Sequence, residues 1–103
     1  MSVTELPIAI DREILAAFCR ERGIRKLSLF GSVLREDFDP ARSDVDVLAE
    51  FAPGALDGVG LRYFGYGEEL SAVLGHKVDF CSKLNKYIAE AVRREAMTLY
   101  EQP

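Results

Sequence analysis

Two aspartates, Asp44 and Asp46, stand one residue apart at the start of an apolar run, and a third, Asp79, interrupts a second such run. Side chains at i and i+2 of a strand leave from one face, so Asp44 and Asp46 place two carboxylates side by side and turn Val45 into the core. Neighbouring carboxylates repel unless a cation lies between them, and hard oxygen ligands favour Mg²⁺. In Lys77-Val78-Asp79-Phe80, Val78 and Phe80 take one face and leave the acid on the other. If the two strands pair, three carboxylates share one site. Taken singly, each acid has a plainer reading. Asp44 and Asp46 can cap a strand end in water, and Asp79 can sit on the polar face of an edge strand.

A further piece is Leu29-Phe30-Gly31-Ser32, where an apolar run ends in glycine. Glycine lets the backbone approach a ligand closely, amides at the start of a helix attract phosphate, and Ser32 adds a hydroxyl. By itself the pair is also an ordinary turn. Together the pieces describe a phosphoryl or nucleotidyl transfer centre, in which carboxylates hold one or two Mg²⁺ ions that bind a triphosphate and neutralise the attacking and leaving oxygens. Asp79 would hold the second metal or accept the proton of the attacking hydroxyl. Positioning and electrostatics, rather than a covalent intermediate, would supply most of the acceleration.

The elements that must position these residues follow from periodicity. Asp11 can cap a helix reaching about Arg22, with Ile14, Leu15 and Phe18 on one face and Gly23 at its stop. Strands are predicted over 25–30, 45–51 and 77–81. A brief helix after Gly31-Ser32 ends in the 37–43 segment around Pro40, and 52–60 is a glycine-rich loop. A helix is predicted over 61–74 from the spacing of Tyr63, Tyr66, Leu70, Val73 and Leu74, with Gly65 and Gly67 weakening its first half. Asn85 caps a last helix lined by Ile88, Val92, Ala96 and Leu99. Strands alternating with helices predict an α/β (α+β) fold, a small mixed sheet flanked by helices, with residues 1–103 as one domain.

Composition narrows the function classes. With 49% hydrophobic and 29% charged residues, the chain reads as an ordinary soluble protein. A net charge of −4 argues against sequence-independent nucleic-acid binding. Lys77, Lys83, Lys86, Arg93 and Arg94 make the C-terminal quarter locally basic, but Glu90 and Glu95 balance that face. No apolar run is long enough to span a bilayer and Met1 to Ile10 carries no leader pattern, so a cytoplasmic protein with no membrane partner is expected. Cys19 and Cys81 form no CxxC pair and are expected as reduced thiols. His76, the sole histidine, rules against a histidine-based metal site and is expected in a turn. Tyr63, Phe64 and Tyr66 are expected in the core, and Asp37, Asp39 and Asp57 in solvated loops.

Gly31-Ser32, ten residues, Ser43-Asp44-Val45-Asp46 and a later Asp79 together resemble the signature of the DNA polymerase beta-like nucleotidyltransferase superfamily. More narrowly, the chain resembles the minimal nucleotidyltransferases of bacteria and archaea. The resemblance implies a palm-like sheet with helices. It also implies a catalytic and metal-binding triad of Asp44, Asp46 and Asp79, and nucleotide-phosphate contacts from Gly31 and Ser32. Ser43 and Arg35 join the nucleotide-binding set, Arg35 either on a phosphate or tying down its loop. Members of that group are often antitoxins that transfer AMP from ATP to a tyrosine of a HEPN-domain ribonuclease toxin, which implies ATP, Mg²⁺ and a hetero-oligomeric partner here. The family pattern glycine-serine-x-alanine-arginine-glycine is altered at Leu34 and Glu36, which bears on the loop rather than on the carboxylates. Two other functions compete. One is a non-catalytic module that neutralises a partner by covering it, and the other is nucleotide transfer to a small molecule, for which relatives usually carry an added acceptor domain.

Overall fold

The computed structural model describes residues 10–35, 38, 39, 41–82 and 86–102, apart from the side chains of Ser32, Lys86, Tyr87 and Ile88. Helix α1 spans Arg12–Arg22 because the Asp11 carboxylate accepts the Glu13 and Ile14 amides at 3.0 and 3.1 Å. Gly23 stops it in the left-handed conformation. Its buried stripe is Leu15, Phe18 and Cys19. Ile14, expected on that face, falls at the edge of the stripe and is 54% exposed. The Arg22 guanidinium lies 3.9 Å above the Phe18 ring and donates to Glu69 at 2.8 Å. Burial pushes the Cys19 thiol up to about 12, which leaves it inert, and both cysteines are free.

After α1 come β1 (Ile24–Phe30), a 3₁₀ turn (Gly31–Leu34), β2 (Val45–Phe51) and a second 3₁₀ turn (Gly60–Gly65). They are followed by α2 (Tyr66–Leu74), β3 (Val78–Cys81), α3 (Lys86–Glu95) and β4 (Met97–Glu101). The mixed sheet has the order β3-β2-β1-β4, with β1 antiparallel to both neighbours and β2 parallel to β3. A parallel pair needs a crossover, and the segment containing α2 provides it.

One face of the sheet is the main core. Leu27 and Leu29 of β1 and Val45, Val47 and Ala49 of β2 are fully buried against Leu15 and Phe18 of α1 and Leu70 and Leu74 of α2. Stripping that much aliphatic surface of water is the principal stabilising term. On the opposite face α3 lies over β1, burying Ser28, Leu48 and Ala89. The β2–β3 half of that second face carries Asp46, half-buried, and Asp79, exposed.

Three sequence expectations change. The segment 61–74 is two elements, because glycines 65 and 67 deprive the first half of helix propensity and a 3₁₀ turn forms there instead. Phe64 on that turn is 76% exposed rather than core, while Tyr66 is buried and Tyr63 half-buried. The last helix ends at Glu95, so Ala96 and Leu99 do not extend its face: Met97–Glu101 is a strand paired with β1, and Leu99 is buried in the core cluster. Asp37, Pro40 and the Asn85 cap lie outside the described residues, as does the Ile88 side chain. His76 sits in the bend before β3, and Asp39 and Asp57 are exposed, as expected. Among the described residues, no helix is long and apolar enough to cross a membrane.

Candidate active site

The three aspartates are brought together by the pairing of β2 with β3. The Val45 amide donates to the Lys77 carbonyl at 2.9 Å, which sets the parallel register and places Asp46 opposite Asp79. Asp46 and Asp79 are direct partners across the β2–β3 ladder, so their carboxylates are neighbours. Asp44 lies one residue before the strand, half-buried, and its Oδ2 stands 4.0 Å from Lys77 Nζ. Two contacts hold β3 in place. Ser71 Oγ accepts the Val78 amide at 3.0 Å while donating to the Gly67 carbonyl at 2.8 Å. A Cβ at Gly67 would stand only 3.2 Å from that of Phe80, so the absence of a side chain lets α2 lie directly on β3.

Gly31 faces the carboxylates from the end of β1. Its φ is +74°, and a Cβ built there would collide with Asp46 Oδ2. Any larger residue would therefore be strained and would displace the carboxylate. The other expected nucleotide contacts are placed as follows. The Ser43 hydroxyl accepts the Asp39 amide at 3.1 Å and the Ser43 amide donates to the Asp39 carbonyl at 2.7 Å, folding the loop ahead of Asp44. Arg35 donates to Glu95 at 3.3 Å, tying the turn after β1 to the end of α3. The Ser32 side chain lies outside the description.

Electrostatically the site is under tension. Burial first, then the charges of Asp79 and Asp44, push the Asp46 carboxyl above its ordinary value. A cation among the three acids would offset the like-charge repulsion, and the donor set is all carboxylate oxygen, which suits Mg²⁺. Among the described residues, no three His, Cys, Asp or Glu side chains are already gathered as a metal site. Asp44 instead stands beside Lys77, 4.0 Å from its ammonium.

A cleft of about 550 Å³ lies elsewhere, lined by Tyr63, Phe64, Ser71, Val78 and Phe80. Val78 and Phe80 point away from Asp79 by strand alternation, so this cleft is separate from the carboxylates, with Lys77 at the border of both. Sequence reasoning missed three contributors: Lys77, Ser71 and Glu95. Lys77 was detectable, since it lies two residues before Asp79 and so shares its face. Ser71 and Glu95 act across 7 and 60 residues and carried no local signal.

Comparison with known proteins identifies the family and the fold. Residues 11–101 match the family model described as a nucleotidyltransferase domain. A solved structure of a candidate minimal nucleotidyltransferase is 31% identical, with a TM-score of 0.66 over 84% of this chain and 86% of that one. Two toxin-antitoxin structures share the fold, each over 90% of this chain and 75% of theirs. One, with AMP-PNP, is 18% identical at a TM-score of 0.67. The other, of the MntA-HpeT pair with two aspartates two positions apart replaced by glutamate, is 14% identical at 0.66. No curated protein matches the sequence significantly.

Proposed function

The chain belongs to the nucleotidyltransferase domain family, and from that premise we propose that it transfers AMP from ATP to a protein hydroxyl, most naturally a tyrosine of a HEPN-domain toxin for which it is the cytoplasmic antitoxin. The observation that carries this reading is the β2–β3 register, which sets Asp79 beside Asp46 with Asp44 two residues away on the same face. The toxin-antitoxin neighbours, one with the ATP analogue AMP-PNP, support the donor and the kind of partner.

Asp44, Asp46 and Asp79 would hold Mg²⁺, which when bound supplies positive charge to the triphosphate and to the attacking and leaving oxygens. The chain's own residues do the rest. The bare backbone at Gly31, with the Gly31-Ser32 turn, lets the phosphates come close to the carboxylates. The acceptor oxygen forms its bond to the α-phosphorus, the bond from that phosphorus to the β-phosphate's bridging oxygen breaks, and pyrophosphate leaves. Asp79, the most exposed of the three acids, would either complete the cation's ligand set or accept the acceptor's proton. The Ser43 and Arg35 contacts keep the flanking loops in position.

Incubation with α-labelled ATP, Mg²⁺ and a co-expressed toxin partner tests the proposal. Label on the partner is expected with the native chain, and a loss of at least about 10³-fold is expected with Asp44→Ala, Asp46→Ala. A tight complex that neutralises the partner equally well without the two aspartates would replace this reading with simple binding.

A further inference from the structure

Four charged side chains, rather than three, stand at the paired starts of β2 and β3. Asp46 and Asp79 are partners across the β2–β3 ladder, and Asp44 and Lys77, each one residue before its strand, bring their charged ends within 4.0 Å of each other beside them. The Val45 amide bond to the Lys77 carbonyl fixes the register, so that Lys77 stands beside Asp44 as Asp79 stands beside Asp46. The result is a two-by-two array of three carboxylates and one ammonium. Among the described residues, Lys77 is the cation that ion-pairs with a member of the triad, at 4.0 Å.

That pair does little for the fold. The Lys77 side chain is 81% exposed, and an ion pair so open to water contributes little to stability. Its backbone, by contrast, is held beside the site by the strand ladder. A flexible stem on a fixed anchor allows the ammonium to change partners without disturbing β3. Lys77 also borders the cleft on the far side of the strand, so its head can move away from Asp44 into space that already exists.

We propose that Lys77 is a donor-binding residue that engages the triphosphate. Without nucleotide, its ammonium offsets the charge of Asp44. With the donor and its cation in place, Asp44 is neutralised by the cation, and Lys77 turns to an anionic oxygen of the phosphates. Exchange of a carboxylate for a phosphate keeps the ammonium paired at every stage, and the contact formed is a charge-assisted hydrogen bond in a partly desolvated site. The inference rests on the nucleotidyl-transfer reading and names one more residue of that same site.

Calorimetric titration of AMP-PNP with Mg²⁺ into the native chain, Lys77→Ala and Lys77→Arg tests it. Lys77→Ala should weaken binding roughly ten- to a hundredfold, Lys77→Arg should recover most of that, and thermal melting should be unchanged in both. In the transfer assay, Lys77→Ala should raise the KM for ATP more than it lowers kcat. Native-like AMP-PNP affinity in Lys77→Ala overturns this inference alone. Failure of the native chain to bind AMP-PNP overturns the transfer reading and this inference with it.

Discussion

The second face of the sheet is divided between two regions with opposite chemistry. Over β1, α3 packs against the strand, and among the described residues the one buried polar side chain is the small Ser28. Over β2 and β3, three aspartates and a lysine stand where a second layer of apolar side chains would give more stability. The β1 side gains by burial, whereas the β2–β3 side keeps Asp46 half-buried beside two other acids, with its carboxyl driven above its ordinary value. A half-buried carboxylate crowded by like charges is retained against stability, which is how functional groups generally stand in a fold. The two regions meet at Gly31, the end of β1, whose missing Cβ makes room for Asp46 Oδ2.

This division can be broken from either side. The largest effect on stability is expected from Leu29→Ala, on the main-core face of β1 behind this division, which should cost about 2–5 kcal/mol in urea unfolding. At a temperature where the variant is folded, its AMP-PNP affinity should stay near native. A large loss of affinity in the folded variant would mean that the two regions are mechanically coupled. Gly31→Ala comes next. Positive φ and the collision with Asp46 should together lower stability by about 1–3 kcal/mol and reduce transfer out of proportion to that loss. If transfer fell only as far as the folded fraction, the glycine would be a turn residue and nothing more. The smallest and most discriminating change is Asp46→Asn, with stability measured in the presence of a chelator and transfer measured with Mg²⁺. Removal of one of three repelling charges, with the amide still able to donate to Asp79, should raise stability by about 0.5–2 kcal/mol while abolishing transfer. A destabilised Asp46→Asn would show that the acid supports the fold.

The local grammar of the chain was largely legible. Asp11 and Gly23 mark α1 because capping is settled within four residues. The 45–51 strand has its expected bounds because alternation of Val45, Val47 and Ala49 with Asp46 and Leu48 is a strong period-2 signal. The carboxylate pair at Asp44 and Asp46 could be read from spacing alone, for the same reason. Misreadings occurred where a residue's fate depends on distant partners. Leu99 continues the helical spacing of Val92 and Ala96, but the backbone of residues 97–101 finds hydrogen-bond partners on β1, some seventy residues earlier, and becomes a strand. Phe64 and Ile14 carry apolar side chains at helical spacing, yet among the described residues they stay 76% and 54% exposed.

By itself, then, the sequence determined which residues could do chemistry and which elements would carry them, because caps, alternation and glycine turns act over a few residues. Only the tertiary structure decided that β3 lies beside β2 in the register joining Asp46 to Asp79, that Lys77 completes the array, and that Arg35 rests on Glu95. Those outcomes depend on ladder hydrogen bonds and packing between segments far apart in the chain, whose geometry no local pattern encodes.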